Sequence, residues 1–177
     1  TILVQKGQEK VKEITFNLDT DGLLGIDLTI LADHIPRGGL TDMVWQQEPE
    51  LILWFVHSDG RLVGLTYDRA NAAVGWHDHA IGGSGIVESI TAIPSGAEDQ
   101  VYVSVKRTID GSTVRHIEFI KTIEFGNDVA DAFFVDSGLT YDSTATSTIT
   151  GLNHLEGEVV SILADGATHP DRTVSAG

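Results

Sequence analysis

The sequence predicts an all-β protein, and three observations lead there. Short runs of β-branched and aromatic residues alternate with Asp-Gly turn pairs. One run, Leu51 to Val56, is apolar at every position, as in a strand covered on both faces. Helical spacing is found in only one short stretch. The chain has 177 residues, 41% of them apolar and 21% charged, which suits one medium domain or two small ones.

Residues 1–40 read as a strand and short-helix lead-in. Ile2-Leu3-Val4 and Ile14-Thr15-Phe16 are strand-like around the charged loop Lys6 to Lys12, and Asp21-Gly22 marks a turn. Leu28, Leu31 and Ile35 then fall at helical spacing. Asp27 is placed to cap that helix, and Pro36 with Gly38-Gly39 to end it.

Residues 41–120 read as two β-meander units. The first has strands at Thr41 to Trp45, Leu51 to Val56, Leu62 to Tyr67 and Val74 to His77, with a hairpin at Ser58-Asp59-Gly60 and a polar turn at Asp68 to Asn71. Gly82-Gly83-Ser84-Gly85 breaks the pattern. The same grammar then returns at Val87 to Ile93, a turn from Pro94 to Asp99, Val101 to Val105, Asp110-Gly111 and Val114 to Ile120. The second Asp-Gly pair lies 51 residues after the first, close to the ~40–50-residue period of β-propeller blades. Two propeller-like blades are therefore expected. Each would need a neighbour to cover its second face.

Past Lys121 the aromatics thin out, and Ser, Thr, Gly and Asp rise. Strands are expected at Ala145 to Thr150, Glu158 to Leu163 and Arg172 to Val174, with a turn at Asp165-Gly166. Residues 121–177 thus read as a small second β domain, a sandwich or barrel, incomplete at its C-terminal end. The chain opens on Thr1 and closes on Gly177 just after a strand, so it reads as a piece of a larger protein.

Composition narrows the function. There is no cysteine, which excludes disulfides, thiolate metal sites and a cysteine nucleophile. The formal net charge is −15, from 26 acidic and 11 basic residues. Without a basic stripe, binding to nucleic-acid phosphates is disfavoured. So much acid keeps a protein soluble, and it also suits a wall that repels DNA. The longest apolar run is too short to cross a bilayer, and no membrane partner is expected.

Catalytic patterns are absent. Asp19-Thr20-Asp21-Gly22 hints at a calcium loop, but Leu24 and Ile30 stand where that loop needs Gly and Glu. Gly82-Gly83-Ser84-Gly85-Ile86 lacks the last glycine of a nucleophile elbow. Glu88, Glu98, Asp99, Glu118, Glu156 and Glu158 offer carboxylate pairs, which read as turn or edge-strand solvation rather than as a glycosidase pair. Trp45, Trp54 and Trp76 are expected in the core, with Trp76 the most exposed. The best metal candidates are His77 and His79, two apart on a strand and so on one face, with His57 or Asp68 as a third ligand. A polar blade edge is the plainer reading, and neither a metal nor another cofactor is expected.

Several strings carry a resemblance. They are Met43-Val44-Trp45-Gln46-Gln47-Glu48-Pro49, Ile52-Leu53-Trp54-Phe55-Val56, the run Asp59-Gly60-Arg61-Leu62-Val63-Gly64-Leu65-Thr66-Tyr67-Asp68-Arg69, and Val74-Gly75-Trp76-His77-Asp78-His79. Downstream come Gly138-Leu139-Thr140-Tyr141-Asp142, Gly151-Leu152-Asn153-His154-Leu155-Glu156-Gly157-Glu158-Val159 and Leu163-Ala164-Asp165-Gly166. Over roughly 35 to 175 the chain resembles the tail-nozzle, or packaged-DNA stabilisation, proteins of short-tailed bacteriophages, some of them prophage-encoded. The resemblance implies a non-enzymatic subunit of a ring in the virion tail, below the portal and adaptor. That ring extends the DNA channel and retains packaged DNA without sequence-specific binding. Its expected partners are copies of itself, the portal or adaptor and other tail proteins. The alternative is a glycan-binding or glycan-cleaving tail module, which needs an exposed Trp or Tyr beside carboxylates in a groove.

Overall fold

The computed structural model describes residues 1–177, the side chain of Ala130 apart. Twelve strands account for 49% of the chain, and no α-helix is present among the described residues. The strands form four separate antiparallel sheets, none closed into a barrel.

The first sheet holds β1 (Ile2–Val4), β2 (Val11–Asn17) and β3 (Gly22–Asp27) in the order β1-β2-β3. The second is a four-stranded meander of β4 (Leu40–Gln46), β5 (Ile52–His57), β6 (Leu62–Asp68) and β7 (Ala73–His79). The third is a three-stranded meander of β8 (Ile86–Ser95), β9 (Glu98–Ile109) and β10 (Ser112–Phe119). The fourth is a hairpin of β11 (Val159–Ala164) and β12 (Ala167–Thr173).

Strand β5 explains how the first three sheets stack. Successive side chains on a strand face opposite ways, and here both sides are covered: Leu53, Trp54, Phe55 and Val56 are all at most 5% exposed. Leu53 and Phe55 join Val63, Leu65, Leu40 and Val11 in a core shared with the first sheet. Trp54 and Val56 join Leu62, Val87, Ile90, Val101, Val103 and Val105 in a core shared with the third sheet. The second sheet is therefore the middle layer, as the unbroken apolar run predicts.

The Asp-Gly pairs turn where expected. At Asp110 and Gly111, φ is 47° and 71°, the left-handed pair that matches the twist of a two-residue hairpin. The turn expected from Pro94 to Asp99 is tighter: Pro94 pairs with Asp99 and Ser95 with Glu98, leaving Gly96 and Ala97 at the tip.

Two predicted elements are corrected. No helix follows Asp27. The Leu28 N–H stays bonded to the Val11 carbonyl, and Asp27 Oδ1 accepts the Thr29 N–H at 2.9 Å. The chain then makes isolated four-residue turns, with the Ala32 N–H bonded to the Thr29 carbonyl and the Ile35 N–H to the Ala32 carbonyl. Leu31, the middle of the supposed apolar stripe, is 95% exposed, so the spacing was coincidental. The Thr-rich segment Ala145 to Thr150 is irregular rather than a strand. It has no ladder partner, and the Thr146 hydroxyl bonds locally, accepting from the Thr148 N–H. Residues 121–177 thus carry one regular hairpin and two short 3-10 turns, Val129–Asp131 and Asn153–Leu155.

Candidate functional site

Strand parity decides which of the predicted site residues meet. On β7, Trp76 pairs with Leu65 and His77 with Gly64, so His77 and His79 point to the side of Trp54 and Leu62, towards the third sheet. Gly64 matters here. A Cβ on it would lie 2.0 Å from His77 Cε1, so the imidazole lies directly over the glycine backbone.

The two rings meet. His77 Nδ1 is 2.6 Å from His79 Nε2, and the rings are edge-on with centroids 4.9 Å apart. Trp54 backs both, at 5.5 Å from His77 and 5.2 Å from His79. On the far side of His77, Nε2 lies 3.3 Å from the Thr66 hydroxyl. Burial holds His77 below the usual histidine range, and the neighbouring His79 pushes it further down. Burial also lowers His79, against the opposing pull of Asp78.

The pair opens on a cleft of about 340 Å³ between the second and third sheets, also lined by Glu50, Glu98, Ile120 and Ile123. The seam beside it is pinned by polar contacts. The Trp54 indole N–H donates to Gln46 Oε1 at 2.8 Å, and Asp99 Oδ2 accepts the Gln47 N–H at 2.8 Å.

The proposed third metal ligands do not join. His57 is on the opposite face of the second sheet, in line with Leu53 and Phe55. Its Nε2 meets the Arg37 carbonyl at 2.8 Å, and its Nδ1 meets Asp59 at 2.6 Å. Asp68 shares the face of His77 but pairs with Ala73 at the other end of the β6–β7 ladder, where it caps Asn71. Among the described residues, no group of three His, Asp or Glu side chains could hold an ion.

The other candidates have structural places. Asp19 to Gly22 form the turn between β2 and β3, where Asn17 Oδ1 accepts the Asp19 N–H. Glu88 is ion-paired to Arg115 at 2.7 Å, and Glu156 accepts the Ala176 and Gly177 N–H groups. The tryptophans reverse the expected order. Trp76 is half-buried, stacked on Phe55 and bonded to the Leu28 carbonyl, whereas Trp45 is the exposed one.

Sequence reasoning missed the most developed polar cluster. Arg107 is 4% exposed at the end of the inward row Val101, Val103, Val105 on β9. Its guanidinium makes two bonds to Glu118, at 2.8 and 2.9 Å. It also bonds Asp136 at 3.0 Å and the Gly82 carbonyl at 2.8 Å. The Gly-rich break wraps this cation, and Asp136 also accepts the Gly82 N–H. A lone arginine on the buried parity of an alternating strand is the signal that was there to be read. The cluster is saturated and encloses no reacting atom, so it ties the segment after β10 to the third sheet. Neither a scan against protein-family models nor a search of curated proteins gives a match for this chain.

Proposed function

We propose that this chain is a structural, non-catalytic building block of a phage tail nozzle, part of a ring that extends the DNA channel and helps retain packaged DNA. In this reading the two meanders are propeller-like blades, and residues 121–177 are a small second β domain of sandwich or barrel type. Copies of the chain, the portal or adaptor and other tail proteins are the partners, in the virion tail.

The observation that carries it is that the outer faces of the three-sheet stack leave large apolar side chains uncovered, interspersed on the third sheet with polar ones such as Lys106 and the Arg115–Glu88 pair. On the first sheet, Leu3, Phe16 and Leu23 are exposed; on the third, Ile93, Ile117 and Phe119 are. The accessible surface is 11533 Å². A compact folded monomer of 19.0 kDa is expected to show about 8,400 Å², and the irregular residues 121–158 contribute to the excess along with the sheet faces. Large apolar side chains left exposed on a sheet face suit sites of association. The resemblance of the strings around Trp54, Gly64 and His77 to nozzle proteins gives the association its context. The net charge of −15 suits a wall past which DNA slides.

Immunogold labelling of phage particles with an antibody to this chain tests the reading. Label below the portal or at the tail tip is the expected result, and label absent from particles would overturn it. The glycan-module alternative needs an exposed Trp or Tyr in a groove. The cleft supplies only Trp54, which is 5% exposed.

A further inference from the structure

We infer that His77 and His79 form a two-imidazole site for a borderline divalent transition-metal ion such as copper(II), nickel(II) or zinc(II), opening on the cleft between the second and third sheets. The inference does not rest on the nozzle reading.

Four features build the site. The two imidazoles stand on one face of β7, with His77 Nδ1 and His79 Nε2 2.6 Å apart. Two metal–nitrogen bonds of about 2.1 Å meeting at 90–109° put their nitrogens about 3.0–3.4 Å apart. To admit an ion the nitrogens must part by less than about 1 Å, the proton shared between them must leave, and the rings must turn so that both lone pairs meet at the metal. The Thr66 hydroxyl lies 3.3 Å from His77 Nε2, so in the tautomer with the proton on Nε2 it can accept that N–H while Nδ1 turns its lone pair to an ion. Such an outer hydrogen bond is what orients metal-bound histidines. Gly64 and Trp54 hold the rings from below and beside.

Glu50, Glu98 and Asp99 line the same cleft against one cation, Lys121, so its net charge favours cations. No third His, Asp or Glu joins among the described residues, so water or an incoming ligand fills the remaining positions. Imidazole nitrogen favours copper, nickel and zinc over the hard ions magnesium and calcium, with copper(II) the tightest.

The test is titration of the full chain with copper(II) alone. It is read by tryptophan fluorescence, since Trp54 touches both imidazoles, and by electron paramagnetic resonance. A saturable one-to-one quenching phase with two nitrogen couplings is expected. His79→Ala should remove that phase, Thr66→Val should weaken it by about tenfold, and Trp54→Phe should lose the quenching while keeping the nitrogen couplings. A phase that persists unchanged in His79→Ala, with unchanged circular dichroism, would overturn the site. If His79→Ala unfolds the chain, the wild-type spectrum decides alone: two nitrogens support the site, and one or none sinks it.

Discussion

Single residues set the geometry at the sheet seams. Gly64 is needed for space rather than for backbone freedom, because the His77 ring occupies the position of its missing side chain. Gly64→Ala should destabilise the fold by about 1–2 kcal/mol through overpacking. The double variant Gly64→Ala/His77→Ala should recover part of that loss, and paired urea denaturation curves would show the coupling. Asp59 is a second such residue. Desolvation raises its pKa, but hydrogen bonds from Arg61 and His57 outweigh that and hold the carboxyl at about 2. A carboxyl held below its unfolded value adds stability that is present above about pH 4 and lost as pH falls towards 2. Asp59 is half exposed, so the contribution is at most about 1 kcal/mol. The gap in Tm between wild type and Asp59→Asn should be open at pH 7 and narrow between pH 4 and 2. A gap that stays constant would remove Asp59 from the account.

At the scale of elements, Arg107 does what no hydrophobic contact does, by holding the irregular segment after β10. Removing it leaves Glu118 and Asp136 without their cation. Both are partly exposed, so Arg107→Leu should cost about 3 kcal/mol, the low end for a broken buried pair. Limited proteolysis should then cut faster between Glu124 and Val135, while Asp136→Asn should free that segment with a smaller loss in Tm. Phe55→Ala, in the twice-covered strand, should cost about 3–5 kcal/mol and lower the midpoint of the whole transition. The hairpins and the doubly buried strand were legible because turn chemistry and apolar alternation are local signals. Strand β3 was not, since Gly22-Leu23-Leu24-Gly25-Ile26-Asp27 does not alternate and two of its leucines are exposed. The Arg107 cluster draws on Gly82, Glu118 and Asp136, far apart in sequence, so only its buried parity was visible. His77 and His79 were legible as a pair because the period of two is strict. The parity that excludes His57 needed the sheet register.

For the whole molecule, the question is what covers the two ends of the sheet stack. The middle sheet has neighbours on both sides, while the first and third sheets each have one. The surface beyond that expected of a compact monomer includes the irregular residues 121–158, most of them exposed, so the end faces are marked by their exposed apolar side chains rather than by total area. The apolar residues on these faces contribute to the folded monomer only through cross-strand pairs such as Tyr102–Phe119 and Phe16–Leu23. Ile117 is 74% exposed and Phe119 54%, so Ile117→Lys with Phe119→Lys should leave the unfolding free energy within about 1 kcal/mol of wild type. The same should hold for Phe16→Asp with Leu23→Asp on the opposite face. If the faces bind neighbours in a particle, both pairs should abolish incorporation into tails, measured by immunoblot of purified particles, with circular dichroism unchanged. A contact between two unlike faces repeats head to tail and closes into a ring or runs on as a filament, so either pair alone is enough to block it. Normal incorporation of both variants would mean that the uncovered faces are surface only, and would leave the nozzle proposal without its main support.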